Sequence, residues 1–366
     1  MKVPYSYLPR QFESHDAILS DISKLVKSGD FTLGEPVTEF ENRFAKLIGS
    51  KYAIGVNSGT DALFLSLKAI DLQPGDEVIT AVNTFVATAG AIETAGGRIR
   101  FVDCNDTYVI DVNKIEEAIT DRTRVIMPVH YSGQPAEMDV ILQIAKRHDL
   151  TVIEDSCCAI DAEYQSMRCG TIGLTGTFSL HPLKNLNVWG DSGVVTTDSE
   201  KVRDTLVLLR NHGMINRDEY AFYAYNSRLD SLQAVVANHL IDDVQWITDK
   251  RIEHAHQYDS AFADLSDFIA IPPRRENERH VFHMYMMLVQ DRDRLNDYLH
   301  ENGIESKIHY PIPLHLQKAS QHLGYRQGDF PVAEQQAKDI ISLPVHQHLT
   351  GEEVAYVIEK VRSFYG

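Results

Sequence analysis

Cysteine is scarce in this chain: Cys104, Cys157, Cys158 and Cys169 are the only four in 366 residues. That is too few for a disulfide-built scaffold, and without a C-x-x-C pair a zinc knuckle is not expected either. No apolar run reaches the roughly 18 residues of a membrane-spanning helix. The opening stretch, Met1–Phe12, lacks the apolar core of a signal peptide. These absences predict a cytoplasmic, reducing location with no membrane partner. Basic residues are also in short supply, with 35 Lys and Arg against 52 Asp and Glu and a formal net charge of −17. A nucleic-acid partner would call for the opposite balance. A local pocket for a small anion remains compatible with it. The 16 histidines are scattered, without H-E-x-x-H or a close cluster, so no metal site is expected.

What is present suits a globular enzyme: 43% hydrophobic and 24% charged residues, over a length that favours two domains. From about residue 50 to 200, short apolar runs alternate with amphipathic stretches. Tyr52–Val56, Glu77–Thr80, Arg98–Val102, Val125–Val129, Thr151–Ile153 and Val194–Thr197 read as strands. Asp61–Ile70, Thr84–Thr94 and Met138–His148 read as helices. This alternation predicts an α/β fold with a mostly parallel sheet, whose ligands bind beyond the carboxyl ends of its strands. Two long helices, Asp230–Trp246 and Thr248–Leu265, then lead to a smaller α+β unit. There His283–Val289 and Ser306–Tyr310 read as strands, and Arg292–Glu301, Val332–Ile341 and Glu352–Phe364 as helices. The division expected is 1–245 for an N-terminal segment and large domain, and 246–366 for a small C-terminal domain.

The residues after the strands carry the chemistry. Asn57-Ser58-Gly59-Thr60-Asp61 opens a helix, where small residues let amides approach an anion; the same residues fit a plain helix cap. Glu154-Asp155 ends a strand, where a carboxylate can hold a cationic ring nitrogen or serve as a cap or salt bridge. Lys184 follows the β-rich Phe178–Leu180 and precedes Gly190-Asp191-Ser192-Gly193. A buried lysine there can attack a carbonyl as a free amine, whereas a surface loop lysine cannot. Taken together, a phosphate cradle, a ring-nitrogen acid, an aromatic for stacking (Phe85) and a Schiff-base lysine meet the requirements of pyridoxal 5'-phosphate.

On these residues the chain resembles the sugar aminotransferases of the DegT/DnrJ/EryC1/StrS family, along nearly its whole length. The resemblance rests on Gly34–Val37 with Phe40-Glu41, Ser58–Leu63, Thr84–Thr88, Pro128–His130, Gly133–Pro135 and Glu154-Asp155. It continues through Ser179–Asn185, Arg210–Gly213, Tyr225–Leu229, Gly303-Ile304 and His309–Pro311. It implies the aspartate-aminotransferase (type I PLP) fold, with Lys184 as Schiff-base lysine and proton shuttle. Asp155 would pair with the pyridinium nitrogen and Phe85 stack on the ring, while Gly59, Thr60 and Ser179 hold the phosphate. An asparagine like Asn226 reaches the neighbouring subunit's cofactor in such enzymes, which implies a homodimer with shared sites. His309 and Tyr310 would border the substrate.

Two positions depart from the family pattern. Cys158 stands where Gln or His is usual, and a thiol is a poor hydrogen-bond donor; packing at Cys158, or a polar neighbour such as His130, could fill that role. Ser192 replaces a usual glycine, at a cost of about 1 kcal/mol or more if the position needs positive φ. Lysine at 184, where dehydrating relatives carry histidine, favours transamination from an amino acid, glutamate first, to a keto sugar. The Lys-x5-Gly-Asp-x-Gly spacing looks like that of enzymes aminating C3 rather than C4 of nucleotide-linked hexoses. A non-nucleotide keto sugar, sugar phosphate or cyclitol is an alternative acceptor, and a regulatory protein without turnover is the alternative outside enzymes. Trp189 fits either a stacking or a packing role.

Overall fold

The computed structural model describes residues 1–366. Seven strands form one sheet in the order 52–56, 193–197, 175–179, 151–155, 123–127, 77–81, 98–102. The pairings from 175–179 through to 98–102 are parallel, and Gly193–Thr197 alone runs against both its neighbours. Its residues and those of Glu77–Ala81 are buried throughout, polar Thr80, Thr196 and Thr197 included, as strands covered on both faces should be. Glu35–Ile48 and Ser231–Leu240 cover one part of the sheet around Phe40, Phe44 and Phe178. Gly59–Ala69 and Val86–Thr94 pack together beside Leu63, Leu67 and Ile92. The topology brings Val56, Ala81, Asp155 and Ser179 to one edge of the sheet, and the start of the antiparallel strand, Gly193, meets them there.

A second, antiparallel sheet of Ile269–Ala270, Tyr285–Val289 and Ile340–Leu343 packs with Val244–Phe262 and Gly351–Tyr365 around Tyr258, Leu299 and Val357. The start of the chain belongs to this core: Val3 is fully buried in it and donates its N–H to Gly303 O at 2.8 Å. Arg10 then pairs with Glu353 at 2.6 Å. No helix is long and apolar enough to cross a membrane.

Several boundaries move from their sequence positions. The strand expected at Val125–Val129 is Thr123–Met127, ending before Pro128, which has no N–H for a ladder. The two linking helices break at Ile241–Asp243 rather than after Trp246. Ser306–Tyr310 is not a strand. Only Lys307 bridges Ser342, since Pro311 and Pro313 beyond it cannot extend a ladder. The helix expected to Ile341 ends at Asp339, and the apolar Ile340–Leu343 leaves it to pair with Tyr285–Leu288. Ser192 lies outside the residues with left-handed backbone, so the turn takes a shape that spares the serine any strain.

Candidate active site

The turn Asn57–Thr60 becomes a helix because Ser58 caps it, its Oγ accepting from Asp61 N–H at 3.0 Å. The plain-cap reading is therefore correct for Ser58, and it leaves the Gly59 and Thr60 amides, the first two of the helix, without carbonyls one turn back. Gly59 faces Ser179: a Cβ on it would lie 2.6 Å from Ser179 Cβ and 3.1 Å from Cys157 Sγ. Gly193 keeps the neighbouring strand close, because a Cβ there would fall 2.2 Å from Ser58 O. The result is a concave edge of amides and the Ser179 hydroxyl, with Thr60 exposed beside it.

Asp155 sits at the far side of the same edge, 4% exposed. It heads no helix and forms no ion pair, so both bland alternatives fail for it. Its Oδ2 accepts from Thr88 Oγ1 at 2.7 Å, its Oδ1 from Cys157 N–H at 3.1 Å, and the Thr84 and Thr88 hydroxyls are 2.8 Å apart. Neither threonine was singled out from the sequence; Thr84 lies just before the helix Val86–Thr94 and Thr88 in its first turn.

Lys184 is half-buried on a loop fastened at several points. Tyr7 Oη donates to its carbonyl at 2.8 Å, Asn187 Nδ2 to Pro182 O at 2.6 Å, and Asn185 Nδ2 to Val281 O at 3.2 Å. Lys184 Nζ donates to Cys158 Sγ at 3.1 Å. Burial pulls the Lys184 ammonium down; the Cys158 and Cys157 sulfurs and Asp155 push it back above the ordinary lysine value. The structure thus joins Lys184 and Cys158 directly. It does not bring His130 to them: that imidazole is fully buried, accepts from Ala136 N–H at Nδ1 (3.0 Å), and so donates from Nε2 to Glu154 (2.9 Å). Glu154 also accepts from the amides of Gly170, Ile172 and Gly173 at 2.7–2.8 Å.

Phe85 begins its helix with the ring 53% exposed and 6.0 Å from the Tyr310 ring, centroid to centroid. Tyr310 in turn lies 6.4 Å from Tyr131, whose hydroxyl donates to His309 O at 3.0 Å. His309 Nδ1 is 2.9 Å from Ser342 Oγ. Burial pushes the His309 imidazole down to about 4, with the Lys184 and Lys307 cations adding to the effect. Burial raises the Tyr310 phenol, and Cys158, Tyr5 and Asp155 add to that rise. Tyr5, Tyr7 and the buried Arg251 stand close to this wall and were not anticipated.

Asn226 stands apart. It is exposed and lines a cleft of about 200 Å³ with Asn57, Arg228 and Phe31, and no hydrogen bond joins it to Lys184, Asp155 or Ser179. Trp189 packs edge-on against Phe12 at 5.5 Å. No group of three or more His, Cys, Asp or Glu side chains is disposed to hold a metal ion.

The edge therefore offers an anion cradle, a buried carboxylate, a lysine held against Cys158 and an exposed aromatic ring. A sequence model of the DegT/DnrJ/EryC1/StrS aminotransferase family matches residues 13–362. The chain is 38% identical over 368 residues to a pleiotropic regulatory protein of Geobacillus stearothermophilus, covering 100% of this chain and 99% of that one. It is 39% identical over 348 residues to the dTDP-3-amino-3,6-dideoxy-alpha-D-galactopyranose transaminase of Aneurinibacillus thermoaerophilus, covering 94% of each. The solved structure of NtdA from Bacillus subtilis with bound cofactor PMP superposes with a TM-score of 0.92 at 32% identity, over 99% of this chain and 85% of that one.

Proposed function

The chain belongs to the DegT/DnrJ/EryC1/StrS aminotransferase family, and we propose that it is a pyridoxal-phosphate-dependent enzyme moving an amino group from an amino acid, glutamate first, to a keto sugar. The observation that carries this reading is Asp155, a buried carboxylate without an ion-pair partner, on the sheet edge that also holds Lys184. The donor set fits the cofactor: amides and a hydroxyl at Gly59, Thr60 and Ser179 for a phosphate, a carboxylate for a ring N–H, and an amine for a carbonyl. NtdA with its PMP, the amine-bearing form of the same cofactor, supports the assignment.

When bound, the cofactor supplies a ring that accepts the electron pair left behind as a proton departs from carbon. Asp155 holds the proton on the ring nitrogen, and the Thr88 hydroxyl fixes the carboxylate in place. Lys184 Nζ, once free, takes the departing proton and returns it to the neighbouring carbon. Phe85 covers the ring and keeps water from that face. Cys158 occupies the Gln or His position as an acceptor from Lys184 rather than as a donor. His309 and Tyr310 border the sugar.

For the acceptor we favour a nucleotide-linked 3-keto deoxyhexose over a 4-keto one, on the Lys-x5-Gly-Asp-x-Gly spacing and the name of the Aneurinibacillus relative. A regulatory role finds support in the name of the Geobacillus relative, but the acid, lysine and cradle on one edge are the full set that transamination requires, and relatives named as transaminases match over nearly the whole chain. We place the domain division at 245/246, near the start of the helix Val244–Phe262, with the first residues of the chain packed on the C-terminal core, and the protein in the cytoplasm. We further propose a homodimer, supported by the exposed apolar side chains Ile215, Tyr220, Phe222 and Tyr223 on the loop leading to Asn226.

The deciding experiment loads the protein with PMP and presents keto sugars with and without a nucleotide. Return of the pyridoxal form with a nucleotide-linked 3-keto sugar is the expected result. Turnover of a sugar phosphate alone would overturn the acceptor, and failure of Lys184→Ala to abolish both the visible cofactor band and turnover would overturn the mechanism.

A further inference from the structure

We propose that Cys158 and Lys184 form a site of oxidative modification, at which hydrogen peroxide closes a reversible sulfur–nitrogen cross-link when Lys184 is free of the cofactor. Lys184 Nζ and Cys158 Sγ are already in contact at 3.1 Å, and both residues are half-buried, so a small oxidant reaches them. The other three cysteines are placed differently. Cys104 and Cys169 are buried, and Cys104 Sγ is engaged with Gln336 Oε1 at 2.9 Å. Cys157 turns its sulfur toward Gly59, where burial and the Asp155 carboxylate hold it firmly as the unreactive thiol. Cys157 also lies close enough for its charge to act on Lys184, but only Cys158 makes a hydrogen-bond contact with the amine.

The chemistry balances with peroxide as the only co-reactant. The Cys158 sulfur attacks one peroxide oxygen, the O–O bond breaks, and a sulfenic acid and water form, sulfur having lost two electrons. Lys184, its ammonium first giving up a proton to water, then attacks that sulfur as the amine. The S–O bond breaks and the leaving hydroxide departs as water with a proton from nitrogen, as in sulfenamide formation at a backbone nitrogen. The sum is thiol, amine and peroxide giving an S–N bond and two waters. Two equivalents of a small thiol reverse it, restoring both side chains and leaving a disulfide of the reductant.

The inference rests on the proposed role of Lys184: while its nitrogen is bonded to the pyridoxal form it cannot attack sulfur, and conversion to the PMP form releases it. Oxidative sensitivity therefore follows the half-reaction, high when amino donor outruns acceptor and low in the resting pyridoxal form.

The test treats the holoenzyme with hydrogen peroxide in the pyridoxal form and again after conversion with excess glutamate, then digests the denatured protein with trypsin for mass spectrometry. In the PMP form the expected product joins the peptide containing Cys158 to that containing Lys184, two hydrogens lighter than the pair, with cleavage after Lys184 lost. Dithiothreitol should reverse it, Cys157→Ala should retain it, and the pyridoxal form should give at least several-fold less. Cleavage after Lys184 left intact while Cys158 forms a disulfide with Cys157 or Cys169, or ends as sulfinic acid, would overturn the inference, as would equal cross-linking in both forms. The visible cofactor band separates the two failures. If glutamate shifts the band but no cross-link forms, this inference alone fails; if no band forms or glutamate leaves it unmoved, the functional reading fails first.

Discussion

Thr88 and Asp155 are joined across the junction of two elements: the threonine hydroxyl on the helix Val86–Thr94 donates to Oδ2 of the carboxylate ending the strand Thr151–Asp155, at 2.7 Å. The bond is buried at both ends, and a hydrogen bond to a charged group in such a place contributes about 1.5–3 kcal/mol. Thr88→Val should therefore weaken cofactor binding by about tenfold or more and lower the denaturant midpoint, while Thr88→Ser restores both. Cofactor titration and chemical denaturation check the two halves separately.

The two glycines at the cradle should fail in different ways. In Gly59→Ala the new methyl meets the Ser179 side chain at 2.6 Å, so the hydroxyl is displaced while the helix start tolerates alanine. Cofactor affinity should fall by roughly tenfold with little change in the stability of the cofactor-free protein. In Gly193→Ala the methyl meets the Ser58 carbonyl at 2.2 Å, and backbone cannot rotate away. Stability itself should fall by about 2 kcal/mol or more, visible as a lower midpoint even without cofactor.

Glu154, itself fully buried, accepts from three amides and His130, of which the Gly170 amide and the imidazole are also buried. Glu154→Ala strands these donors, at about 1–3 kcal/mol for each one left unsatisfied, and should leave little folded protein. Glu154→Gln keeps one acceptor oxygen and should fold with a reduced denaturation midpoint. Equal stability of the alanine and glutamine variants would refute this account of the loop.

Acid should unfold the protein through its buried histidines. Burial pushes His309 to about 4 and His346 to about 3, against about 6.5 in an unfolded chain. The unfolded state therefore binds more protons below pH 6.5, so the stability held above that value is lost as pH falls toward the folded values. At pH 5 the loss is about 2 kcal/mol for each of the two histidines. Denaturation midpoints measured from pH 7.5 to 4.5 should fall on the acid side, and His346→Gln should flatten the profile.

Most of the strands and the cradle were legible because a parallel sheet writes buried strands as continuous apolar runs and places its functional residues just beyond them; Gly59, Asp155 and Lys184 were found this way. What escaped notice depends on the distant parts of the chain. Tyr7 meets the Lys184 carbonyl from 177 positions away, and nothing in MKVPYSY marks that contact. Glu154 read as a companion to Asp155, because its partners are mostly backbone amides that no residue type announces. Ile340 and Ile341 read as the end of a helix since apolar residues there fit either period, and only the edge of Tyr285–Val289 decides between them.

Asn226 offers the sharpest check on the assembly. It is exposed, with no hydrogen bond to Lys184 or Asp155 of its own chain. If it completes the partner's cradle, Asn226→Ala and Lys184→Ala should each be inactive alone yet complement when mixed under conditions that exchange subunits. A mixed dimer then holds one site lacking both residues and one carrying both. Random pairing makes half the dimers mixed, so activity should return to about a quarter of the native value. A cradle completed within one chain gives no recovery at any mixing ratio, because every site then lacks one residue or the other. An affinity tag on one variant, with tagged–untagged dimers isolated from the mixture, establishes that subunits have exchanged, so the absence of recovery in those dimers would remove Asn226 from the shared site.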